Sequence, residues 1–144
     1  MALTVQITFD CSDTATLCAF WCEALGYRLE DPPEPFTSWP EALAAFGVPK
    51  SEWESRSACS DPDGTGPRLF FQRTDTAKPT KNRLHLDLRA ASGLKGEQRM
   101  AALDARATEL VGHGATILQR VEPDGLDVGN IVLADPEGNE FCLD

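Results

Sequence analysis

Two stretches, ACSDPDG at 58–64 and VLADPEG at 132–138, carry the same punctuation. Each runs from a strand-like segment into Asp-Pro, an acidic residue and Gly, which is turn chemistry. Around each lies the same succession of segments, and a duplicated succession restricts the fold to two similar units. ALGY after a first helical stretch and GHGA after a second complete the correspondence.

The first succession begins with alternation over 3–10, where Val5, Ile7 and Phe9 oppose Thr4, Gln6, Thr8 and Asp10. That predicts a strand. Ser12 or Asp13 then caps a helix over Thr14–Leu25, closed by Gly26. Strands are predicted over 27–30, 54–60 and 68–73. Residues 31–50 stand apart, with five prolines among Phe36, Trp39 and Phe46. They read as an excursion with one short helix near 40–46.

The pattern restarts after a short polar link. A strand is predicted over 83–89, then a helix led in by ASG at 91–93 and running through about Val111. Met100, Leu103, Ala107 and Leu110 mark its buried stripe. Strands follow over 115–121, 128–133 and 139–143. The expected class is α+β: two βαβββ modules in tandem, module one about 1–76, a link at 77–82 and module two about 83–144. Together they make a single domain, a curled mixed sheet around a cleft with the helices outside.

Bulk properties exclude some functions. The 144 residues carry a formal net charge of −10, so no basic stripe is available for nucleic acid or an anionic membrane. No apolar run approaches the roughly 18 residues of a membrane helix. The N-terminus lacks the basic and apolar regions of a signal peptide. Five scattered cysteines without CxxC spacing suit neither a disulfide framework nor a zinc knuckle. They read as reduced, buried small hydrophobes, and the expected compartment is a reducing cytoplasm.

Four strands pair an apolar face with a polar one. Gln6, Thr8 and Asp10 share a face in the first; Arg68, Phe70 and Gln72 in the fourth. His85, Asp87 and Arg89 share one in the fifth, and Glu140, Cys142 and Asp144 in the eighth. Convergent polar groups in a partly apolar cleft are the usual make-up of a small-molecule site.

These modules, with CSDTATLCAFWCEALGY, KNRLHLDL, FFQR and LADPEGNEFCLD, resemble the vicinal oxygen chelate superfamily: glyoxalase I, bleomycin-resistance proteins and extradiol dioxygenases. The phrases are most similar to its glyoxalase-like bacterial branch. The resemblance implies a site for a divalent metal (Mn, Fe, Ni, Mg or Zn) built from the first and last strand of each module. By position it implies Gln6 and His85 as first-strand ligands, Gln6 seven before Asp13 and His85 seven before Ser92. It implies Glu140 as the last-strand ligand of module two. Its counterpart in module one is Gln72, or Phe70 or Arg68 if the register shifts. Glyoxalase chemistry needs a carboxylate to move a proton beside a carbonyl, a role that falls to Glu140. The resemblance also implies a homodimer.

Two functions follow. One is a metal-dependent lyase, isomerase or dioxygenase acting on vicinal oxygens. The other is a metal-free protein that sequesters a drug or metabolite, for which the acidic surface suits a cationic ligand. Asp87 and Arg89 would line the site, with Trp39, Trp53 and Phe70 as aromatic contacts. The residues leave alternatives open. His85 is either a ligand or a wall histidine held by Asp87 or Gln6. Glu140 is either a ligand or paired with Arg68 or Arg89. Trp39 and Trp53 either line the pocket or anchor the excursion. Asp10 is either a ligand-orienting partner or a strand-end polar residue, and His113 belongs to a helix terminus.

Overall fold

The computed structural model describes residues 2–144. The chain divides into two compact units, one ending at Ala77 and the other running from Lys78 to Asp144. Module one contains β1 (Gln6–Cys11), α1 (Thr14–Leu25), β2 (Arg28–Leu29), α2 (Trp39–Ala45), β3 (Arg56–Ser60) and β4 (Arg68–Arg73). Module two contains β5 (Leu86–Leu88), α3 (Gly96–Gly112), β6 (Thr116–Val121), β7 (Asn130–Ala134) and β8 (Glu140–Leu143). This is the tandem βαβββ order, with α2 and a short 3-10 turn at Lys50–Glu52 added to module one.

Each module forms its own four-stranded mixed sheet, ordered β1-β4-β3-β2 and β5-β8-β7-β6. β1 runs parallel to β4, and β5 parallel to β8. In module one, α1 buries Leu17, Cys18, Phe20, Trp21 and Ala24 over Cys59, Leu69 and Phe71. Phe9 joins this core, its ring 5.2 Å from both Trp21 and Phe71. Asp13 caps α1 by accepting from Thr16 N, and Gly26 closes it at φ 71°. In module two, Met100, Leu103, Ala107 and Leu110 of α3 are buried, as are Ile131, Leu133, Phe141 and Leu143.

The expected strands over 3–10 and 83–89 are both shorter at their starts. Leu3, Val5 and Leu84 are exposed. The neighbouring strands explain why. One step before the Gln6–Arg68 pair, β4 offers Pro67, which has no N–H to donate. Two steps before the first β8 partner of β5, extrapolated back to stand beside Leu84, lies Asn139. Its N–H and C=O are both committed to Asp135. Helix α3 also starts later than ASG suggested. Residues 91–94 form a turn, Leu94 N to Ala91 O at 3.1 Å, and Lys95 takes the N-cap position. The seven-residue offset from His85 to Ser92 therefore marks no helix entry. The excursion helix spans Trp39–Ala45, capped by Ser38.

Candidate functional site

The strand registers fix which residues correspond between modules. In module one Gln6 stands beside Arg68, Thr8 beside Phe70 and Asp10 beside Gln72. In module two Leu86 stands beside Phe141 and Asp87 beside Cys142, so His85 falls beside Glu140 one step earlier. The antiparallel pairs agree: Cys59 faces Leu69 as Leu133 faces Phe141. With Gln6 matched to His85, the residue matching Glu140 is Arg68. Gln72 lies four positions further along β4, where its amide donates to Asp10 Oδ1 at 2.7 Å.

Arg68 organises the polar face of module one. Its Nε and Nη2 donate to the two oxygens of Glu30 at 2.6 and 2.7 Å. Its Nη1 donates to Gln6 Oε1 at 2.7 Å, and its guanidinium lies 5.2 Å from the Phe70 ring centroid. Ser60 Oγ donates to Glu30 Oε1 at 2.6 Å. The Arg68 hydrogen bonds, aided by Ser60, hold the Glu30 carboxyl below its ordinary range, and Glu30 raises Arg68 in turn. The Trp39 indole N–H donates to the Glu30 carbonyl at 2.8 Å, tying the excursion to the same network. Trp53 instead donates to Val48 O at 2.9 Å, within the excursion's own end.

On the polar face of module two, His85 Nδ1 lies 2.8 Å from Asp87 Oδ1. His85, Asp87 and Cys142 each bring one potential ligand atom within 4.8 Å of the others. Burial pushes the Cys142 thiol up to about 11, with Asp87 adding to the effect. Glu140 turns to Lys81 in a close ion pair that holds its carboxyl below the ordinary range. Arg89 pairs with Asp144, which also receives the buried Arg99 of α3.

Sequence reasoning missed Glu30, Ser60 and Lys81. Glu30 sits in a proline-flanked stretch whose only signal was its charge. It reaches Arg68 because β3 lies between β2 and β4 in the sheet, an order that periodicity does not encode. His113 stands at the end of α3, and Asp10 holds Gln72.

A family model described as a glyoxalase-like domain matches residues 6–143. The chain belongs to this glyoxalase-like family. No curated protein matches its sequence. Solved structures share the fold at low identity. A glyoxalase/bleomycin resistance protein/dioxygenase family enzyme from Burkholderia phytofirmans PsJN is 13% identical, with TM-score 0.59, covering 96% of this chain and 94% of its own. A glyoxalase-related enzyme from Fulvimarina pelagi is 12% identical, with TM-score 0.62, covering 99% and 87%. A mutant of the fosfomycin resistance protein FosX from Listeria monocytogenes is 10% identical, with TM-score 0.64, covering 99% and 91%. That protein was solved with Mn(II) and 1S,2S-dihydroxypropylphosphonic acid. No helix among the described residues of this glyoxalase-like chain is long and apolar enough to cross a membrane.

Proposed function

We propose that this glyoxalase-like protein binds a small organic molecule without a divalent metal at the position the superfamily resemblance implies. The observation that carries this reading is Arg68 at the place matching Glu140. A guanidinium has five donors and no lone pair to offer a metal. Gln6, the other module-one candidate, already gives its amide oxygen to Arg68. In module two Glu140 is engaged by Lys81. The four-position donor set therefore does not fit a hard divalent ion. Phe70 supplies apolar contact area beside Arg68 in module one. The two modules act as one domain. The chain works as a homodimer in the cytoplasm, with exposed Leu3, Val5 and Leu84 beside the edge strands as apolar surface for association.

Elemental mass spectrometry of untagged protein, after exposure to Mn, Fe, Ni and Mg, tests this. The expected result is far less than one such ion per chain, unchanged in a His85→Ala/Glu140→Ala double variant. Near one ion per chain, lost in that variant, would overturn it. Ligands are then screened by quenching of Trp39 emission, with Trp39→Phe as the control.

The grouping of His85, Asp87 and Cys142 favours a second reading, a metal-dependent lyase, isomerase or dioxygenase centred on module two. Glu140 would be its base. A carboxylate held low by Lys81 is a weaker proton acceptor than that chemistry calls for.

A further inference from the structure

We propose that Cys18, Cys22 and Cys59 form a three-sulfur site in module one for a soft, thiophilic centre. Their sulfur atoms all lie within 4.8 Å of one another. Cys18 and Cys22 stand four apart on α1 and so share one helix face. Cys59 rises to meet them from β3. It alternates with Ser60, which belongs to the opposite, Arg68-bearing face. The site is therefore separate from the polar faces described above, and its fate is independent of the proposed ligand-binding reading.

The geometry is close to what such a centre needs. Thiolate–metal bonds of about 2.3 Å place three sulfurs about 4 Å apart around a trigonal ion. Small side-chain rotations close the set. Cys18 and Cys59 are fully buried, whereas Cys22 is partly exposed and provides the entry route. Thiolate donors select soft ions over Mg or Mn.

Charge narrows the choice further. Burial pushes the Cys22 thiol up to about 12, with the neighbouring Cys59 adding to it. The Cys59 thiol is also raised, first by its contact with Cys18 and then by burial. Cys22 and Cys59 are thus neutral thiols before a centre binds. On binding, three S–H bonds break and three bonds from sulfur to the centre form. With a metal cation the three protons pass to solvent. With arsenous acid they leave with its three hydroxyls as three waters. A trivalent centre leaves a neutral complex; an ion of lower charge leaves buried negative charge, which is costly. Arsenite is accordingly the first probe and Cd(II) the second.

The test is native mass spectrometry of the reduced 144-residue chain with each probe, in the presence of a competing monothiol. The expected result is one bound centre per chain in the wild type and in Cys142→Ser. Affinity should fall at least ten-fold in Cys22→Ser, whose partly exposed position preserves the fold, as circular dichroism will verify. X-ray absorption of the loaded protein should show three sulfur neighbours. Failure of both probes to bind, binding unchanged in Cys22→Ser, or oxygen and nitrogen neighbours would each overturn the proposal.

Discussion

Arg68 grips Glu30 with two guanidinium N–H groups, at 2.6 and 2.7 Å, while a third reaches Gln6. The pair links the first, second and fourth strands of module one, and the side chains are only partly exposed. Replacing Glu30 with Gln should cost about 1 kcal/mol at neutral pH, since solvent screens part of the attraction. Because the folded carboxyl is held low, this contribution is present above the ordinary carboxylate range. It is lost as pH falls through the lowered folded value. Urea unfolding at neutral pH should separate Glu30→Gln from the wild type, and the gap should close as acidification protonates the folded carboxyl, below the ordinary carboxylate range.

A second prediction concerns the donor set. The double variant Arg68→Glu/Glu30→Gln places an acid where the register matches Glu140 and removes the partner that would repel it. Mn(II) affinity should rise by ten-fold or more over the wild type, read by isothermal titration calorimetry. An unchanged affinity would show that Arg68 is not what keeps a metal from that position.

The turn before β8 makes a stability prediction. Asp135 is buried, and its carboxylate accepts from Glu137 N and Asn139 N, each at 2.9 Å, as well as from the Asn139 amide. Asp135→Ala removes the acceptor for these donors and should destabilise by about 2–4 kcal/mol. Asp135→Asn keeps one oxygen and should cost less. Thermal unfolding of the three proteins checks the order.

Arg99 and Arg89 both reach Asp144 but differ in environment. Arg99 is buried and also donates to Gly129 O at 3.1 Å and Val128 O at 3.2 Å. Arg99→Ala should cost about 2–4 kcal/mol, leaving two carbonyls without their donor and Asp144 without its buried partner. Arg89 is mostly exposed, and Arg89→Ala should cost well under about 1 kcal/mol. Equal losses in denaturant titrations would contradict this division.

Much of the fold was legible in local pattern. The limits of α1 and β4 follow from Asp13, Gly26 and the alternation around Phe71, and the buried stripe of α3 follows from its helical period. These are local signals, and local signals survive in sequence. The starts of β1 and β5 were not legible, because a strand ends where its neighbour stops offering partners. Pro67 and Asn139 are those neighbours, and both are distant in the chain.

The sequence by itself determined the duplication, the helices and which residues share a polar face, since periods of two and about 3.6 residues are properties of a single segment. Only the tertiary structure decided that Arg68, and not Gln72, matches Glu140, that Glu30 closes on Arg68, and that Cys59 of β3 meets Cys18 and Cys22 of α1. Those outcomes depend on strand order and register, set by how whole faces pack, and no single stretch of the chain carries them.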